Sequence, residues 1–135
     1  MIRISLQITQ NPPQAEVIIR FLRKDGSWLF VTATVDTGAE ITFLPEDILN
    51  VIDYNTAQTS YLTVERAGIR NADYKVTETI VTVQLEDAFG NISQPFEMPI
   101  WFGQTKVQLF GMTNAIQRGV LHLDMPSLSG YIELP

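Results

Sequence analysis

The sequence predicts a mainly β domain, closed or nearly so, with one short helix near its C-terminal end. Three observations support this. β-branched and aromatic residues alternate with polar ones at a period of two along most of the chain, the mark of half-buried strands. Turn-forming residues punctuate that alternation at short intervals. Near the end, Thr113 to Arg118 has the one convincing helical signature, with Thr113 as candidate N-cap and Gly119 as stop.

Taken in order, Ile2 to Ile8 reads as a first strand, closed by Asn11-Pro12-Pro13, where prolines remove backbone donors. Ala15 to Leu22 is a second, and Lys24-Asp25-Gly26-Ser27 holds the Asp-Gly pair of a tight hairpin. Trp28 to Asp36 returns antiparallel to it. Ile41 to Leu44 is a short apolar segment halted by Pro45, and Pro45-Glu46-Asp47 opens a helical turn through Leu49, since proline suits the first helical position. Strands follow at Thr59 to Glu65, Tyr74 to Glu86 and Gln94 to Phe102, with Asp87 to Asn91 turning between the last two. Val120 to Leu123 and Gly130 to Leu134 close the chain. No repeat or linker divides the 135 residues, so a single domain over 1–135 is expected.

Composition narrows the function. The chain is 45% apolar and 18% charged, which describes a packed protein. A net charge of -6 with nine scattered Lys and Arg argues against nucleic acid as partner. Cysteine is absent and histidine occurs once, which excludes thiol catalysis and a His-rich metal site. The segment MIRISLQITQ lacks the continuous apolar core of a secretory signal, and no run approaches about 18 apolar residues. A cytoplasmic protein with no membrane partner is the expectation.

The chemistry is concentrated in Val31 to Pro45, where an apolar strand runs into Asp36-Thr37-Gly38-Ala39-Glu40 and leaves as a second apolar segment. A carboxylate at the end of a buried strand is costly unless hydrogen-bonded. Gly38 lets the backbone turn back on that carboxylate, Thr37 offers a hydroxyl that both donates and accepts, and Ala39 keeps the loop small. Such a loop holds a carboxylate rigidly. The alternative is a structural turn aspartate capping its own loop.

Apolar residues followed by Asp-Thr-Gly-Ala resemble the active-site signature of aspartic proteases, and Glu40-Ile41-Thr42-Phe43-Leu44 resembles the retropepsin version. Late in the chain, Val107-Gln108-Leu109-Phe110-Gly111-Met112-Thr113-Asn114 is similar to the retropepsin segment that packs against the catalytic loop as a psi-shaped crossing of strands. Met112 stands where that family often has Arg or Asn. The two closing strands look like those of bacterial-type members.

The resemblance spans about Ala15 to Leu134. It implies a closed retropepsin-like (acid protease) barrel with a dimeric active site, Asp36 as catalytic residue, and Thr37 and Gly38 as dyad support. It also implies no cofactor and no metal. Substrate contacts are implied at Gly38, Ala39 and Glu40, and at a flap whose best candidate is Val64 to Arg70, including Ala67, Gly68 and Ile69.

That chemistry needs two carboxylates, and this chain has one Asp-Thr-Gly. A two-fold axis that sets Asp36 beside its own copy supplies the second. The terminal segments Met1 to Leu6 and Gly130 to Pro135 are candidates for a shared sheet in that homodimer. The function expected is an aspartic endopeptidase acting on a peptide or protein substrate. The alternative is an inactive retropepsin-like peptide-binding or scaffolding module, and a weaker one is an unrelated ligand-holding barrel. His122 is expected as a half-buried strand residue, and Trp28, Trp101 and Phe102 as core or dimer surface.

Overall fold

The structure, a computed structural model, describes residues 1–64 and 74–135. Its strands are β1 (Ile2–Ser5), β2 (Gln7–Thr9), β3 (Gln14–Leu22), β4 (Trp28–Val35), β5 (Thr42–Pro45), β6 (Thr59–Val64), β7 (Tyr74–Glu86), β8 (Phe96–Gly103), β9 (Leu109–Phe110), β10 (Val120–Asp124) and β11 (Ser129–Leu134). They form a 3-stranded sheet, β1-β11-β10, and an 8-stranded sheet, β2-β3-β4-β9-β5-β8-β7-β6. A further antiparallel pairing of β3 with β7, Ile18 opposite Glu86 to Phe21 opposite Val83, returns the large sheet on itself. The strands β3-β4-β9-β5-β8-β7 therefore form a closed ring.

Alternation determines what fills the ring. In β3, Ala15, Val17, Ile19 and Phe21 are buried while Glu16, Ile18 and Arg20 are half-buried on the other face. In β8, Phe96, Met98, Ile100 and Phe102 point inward in the same way. Fully burying side chains of this kind contributes about 1.5–3 kcal/mol each, so these alternating strands hold the barrel together. The β3–β4 hairpin turns at Gly26, whose φ of 88° suits a residue without Cβ. Phe102 is core, whereas Trp28 is largely exposed and Trp101 is half-buried, its indole N–H donating to Glu78.

The structure corrects several expectations. The first strand is two: buried Leu6 separates β1 from β2, and its N–H donates to Gly130 C=O at 2.9 Å. The chain thus passes there from one sheet to the other. The turn after β5 is 3-10, Glu46–Asn50, with Pro45 as its cap at ψ 139°, outside the first helical position.

The expected helix over Thr113 to Arg118 shrinks to a 3-10 turn, Ile116–Arg118, and Thr113 does not cap it. The backbone there has other obligations. Thr113 N–H donates to Glu40 C=O at 2.8 Å, Asn114 adopts a φ of 49°, and Ala115 lies outside helical space. A segment tied at its start to a neighbouring loop, with two residues outside helical space, cannot wind evenly. Gly119 does terminate the turn, its N–H donating to Ile116 C=O. His122 is exposed and stacks on Tyr131 with ring centroids 5.0 Å apart.

The two ends of the chain pair with each other. β1 lies antiparallel to β11, Ile2 opposite Leu134 to Ser5 opposite Tyr131, and β10 takes the other side of β11. In this sheet β11 is therefore central, and β1 and β10 carry the edges. No helix among the described residues is long and apolar enough to cross a membrane.

Candidate active site

β4 ends at Val35, and the chain turns through residues 36–41 before re-entering the sheet as β5. These two strands do not pair with each other. β9 lies between them, parallel to β4 (Thr34 opposite Leu109, Val35 opposite Phe110) and antiparallel to β5 (Phe43 opposite Leu109). This is the psi-shaped crossing that the order of motifs implied. The loop between β4 and β5 must therefore arch over the end of β9, and Asp36 stands at the start of that arch.

Backbone bonds fix the arch on both sides. Asp36 N–H donates to Phe110 C=O at 3.0 Å, and Thr34 N–H to Gln108 C=O at 2.8 Å. On the far side, Ala39 C=O accepts from Met112 N–H at 2.9 Å and Glu40 C=O from Thr113 N–H at 2.8 Å. Met112, the departure from the retropepsin pattern, thus contributes through its backbone, and its side chain packs against the core. Gly111 lies directly under the arch. A Cβ added there would stand 2.7 Å from Ile41 C, 2.8 Å from Thr42 N and 2.9 Å from Ala39 O, closer than such atoms approach.

The carboxylate is positioned locally. Asp36 Oδ1 accepts from Gly38 N–H at 2.8 Å, and Ala39 N–H donates to Asp36 C=O at 3.2 Å. Asp36 is half-buried; Thr37, Gly38 and Glu40 are exposed and Ala39 half-buried. The side chains of Thr37 and Glu40 make no hydrogen bond or ion pair among the described residues. One carboxylate oxygen is thus held by the loop, and the loop itself is held by β9 and residues 111–113.

The sequence reading did not single out Thr42. Its side chain is fully buried, its Oγ1 accepts from Gly111 N–H at 3.0 Å, and it donates toward Met98 Sδ at 3.7 Å. It therefore gives a partner to the backbone donor that a buried crossing would otherwise strand. Threonine is ordinary in strands, so the only signal was a hydroxyl in an otherwise apolar segment.

Residues 36–40 are brought together on one loop. Ala67, Gly68 and Ile69, with the rest of the flap candidate beyond Val64, lie outside the described residues. The strands on either side, β6 and β7, pair as an antiparallel hairpin from Thr59 opposite Thr79 to Val64 opposite Tyr74. Among the described residues no group of three or more His, Cys, Asp or Glu is arranged to hold a metal ion.

A mainly β barrel with a strand threaded between the two arms of an aspartate loop defines a retropepsin-like fold, and a solved structure matches it. That structure, of a retropepsin-like aspartic protease from Rickettsia conorii, superposes with a TM-score of 0.59 over 96% of this chain and 89% of that one, at 13% identity. The likeness is one of fold. No family model matches the chain, and no curated protein matches it.

Proposed function

We propose that this protein is an aspartic endopeptidase whose active centre forms when Asp36 of two copies meets across a two-fold axis. The observation that carries the reading is the held carboxylate: Asp36 on an arch braced by β9, with Gly38 N–H on Oδ1, in a retropepsin-like fold. In the dimer the Thr37 hydroxyls, exposed and without a hydrogen bond among the described residues, would be available to bond across the axis.

Two such carboxylates about 3 Å apart cannot both ionise, so they share one proton. The ionised group takes a proton from a water as it attacks the scissile carbonyl. The protonated group stabilises the oxyanion and then protonates the leaving nitrogen. The apparent pKa values belong to the pair. A polypeptide would lie extended across the loops, its backbone paired in strand fashion, with Gly38, Ala39 and Glu40 beneath it.

Digestion of a peptide library from acid to neutral pH, with a pepstatin-type inhibitor as control, tests the proposal. Inhibitor-sensitive cleavage is expected, and Asp36→Asn should remove it while leaving the fold and the dimer intact. Cleavage by Asp36→Asn at the parent rate would refute the assignment. A folded dimer that cuts nothing would point instead to a peptide-binding module.

A further inference from the structure

A cavity of about 500 Å³, within the range of ligand sites, opens on the outer face of the barrel. None of residues 36–40 lines it, and Trp28 on its wall begins the strand that ends before Asp36. β4 is 8 residues long, so along the strand the two ends lie roughly 23 Å apart. The cavity is therefore separate from the Asp36 loop.

The sheet register gives its floor. Trp28 of β4 lies opposite Leu22 of β3, and Thr82 of β7 opposite Glu97 of β8. Arg20 of β3 lies opposite Gln84 of β7; that pairing ends at Phe21 opposite Val83, beyond which Leu22 C=O accepts from Asp53 N–H at 2.8 Å. From Trp28 to Glu97 the floor crosses three strand spacings, about 14 Å.

The charges at its two ends are unpaired. The Arg20 guanidinium carbon lies over the Trp28 ring, 3.9 Å from its centroid. Its side-chain hydrogen bond goes to a neutral acceptor, Gln84 Oε1, at 3.5 Å, and its Nε is buried without a partner. No acid lies within ion-pair distance of it among the described residues. The side chains of Glu97 and Asp53, which also line the cavity, likewise have no ion pair or hydrogen bond among the described residues. A guanidinium with open donors and two open carboxylates share one cavity, with Asp53 beside Leu22 and Glu97 at the far side on β8.

We propose that this cavity binds a short extended peptide by its two free ends, the terminal carboxylate on Arg20 and the terminal ammonium at Glu97. A chain rises at most about 3.3–3.6 Å per residue when extended, so roughly four residues span the floor. Charge-assisted, two-pronged pairing suits the planar guanidinium. Small aliphatic side chains would lie on Leu22 and Ile80. The inference stands on this cavity and not on the reading of Asp36.

The test uses the Asp36→Asn full-length protein, so that nothing is cut whichever way the peptidase assay turns out. Tetra-alanine is titrated in, and the Trp28 indole N–H signal is followed by proton–nitrogen NMR. A saturable shift is expected. N-acetylation or C-amidation of the probe should each weaken binding roughly tenfold. In Arg20→Gln the amide should bind as well as the free acid, while acetylation still weakens binding. In Glu97→Gln the pattern should reverse. No shift at Trp28, or equal binding of free and doubly capped tetra-alanine, would overturn the proposal without any cavity substitution being needed.

Discussion

Asp36, Thr42 and Asp87 show how unequally single residues announce themselves. Asp36 was legible because a carboxylate at the end of an apolar strand, followed by Thr-Gly, is costly without a dedicated loop. Thr42 was not, because its task is defined by Gly111, far away in sequence. Thr42→Val keeps the shape and removes the acceptor. It should destabilise the protein by about 1–3 kcal/mol in denaturant melts, the cost of an unsatisfied buried N–H.

Asp87 was read only as part of a turn, yet it is buried and braces two elements. Its Oδ2 accepts from Ser5 N–H and Asn91 Nδ2, both at 2.9 Å, and its Oδ1 from the N–H groups of Phe89 at 2.9 Å and Asn91 at 3.0 Å. Burial by itself would push its carboxyl up, but the hydrogen bonds outweigh it and hold the group below the ordinary carboxylate range. A depressed value means that the stabilisation is fully present above the unfolded value, about 3.9, and is lost as pH falls through the lower folded value. Asp87→Asn should therefore lower stability at pH 7 by roughly 2 kcal/mol and flatten the acid limb of the stability–pH curve. An unchanged acid limb would rule out this role.

Among the elements, strands were far easier to read than the segments between them. Alternation in β3, β7 and β8 follows from burying one face only, and period two survives any detail of packing. The 113–118 segment went the other way. Its local preferences favour a helix, but backbone bonds from Met112 to Ala39 and from Thr113 to Glu40 impose a different path and leave one 3-10 turn. Gly111 belongs to the same crossing. Gly111→Ala would drive a methyl into the backbone of residues 39, 41 and 42, so β9 would have to withdraw from β5. Overpacking against backbone should cost about 3 kcal/mol or more. Because β9 also braces the Asp36 loop, residual folded protein should have lost peptidase activity. Wild-type activity in a folded Gly111→Ala protein would show that the loop does not depend on β9.

Assembly is the level at which the proposed chemistry is decided. One carboxylate cannot be ionised and protonated at the same moment, so a dyad from one Asp-Thr-Gly per chain needs a second copy. Specific activity per chain should therefore fall on dilution below the dimer dissociation constant. Sedimentation equilibrium on the same samples should show mass halving over that concentration range. Constant specific activity across a measured dimer-to-monomer transition would contradict a shared centre. The terminal sheet gives that assembly a constraint. β11 is flanked on both sides within the chain, so if the proposed dimer uses this sheet, a second copy would join it at β1 or β10.

What the sequence determined by itself was local or periodic: the β class, most strand positions, and a loop that presents Asp36. Those features depend on neighbours along the chain, where side-chain alternation and turn chemistry act directly. Tertiary structure alone decided the splitting of the first strand at Leu6, the loss of the helix, the roles of Thr42 and Asp87, and the pairing of Arg20 with Trp28 above an open cavity. Each of these arises where distant segments compete for the same backbone groups or the same space, and a one-dimensional pattern carries no record of that competition.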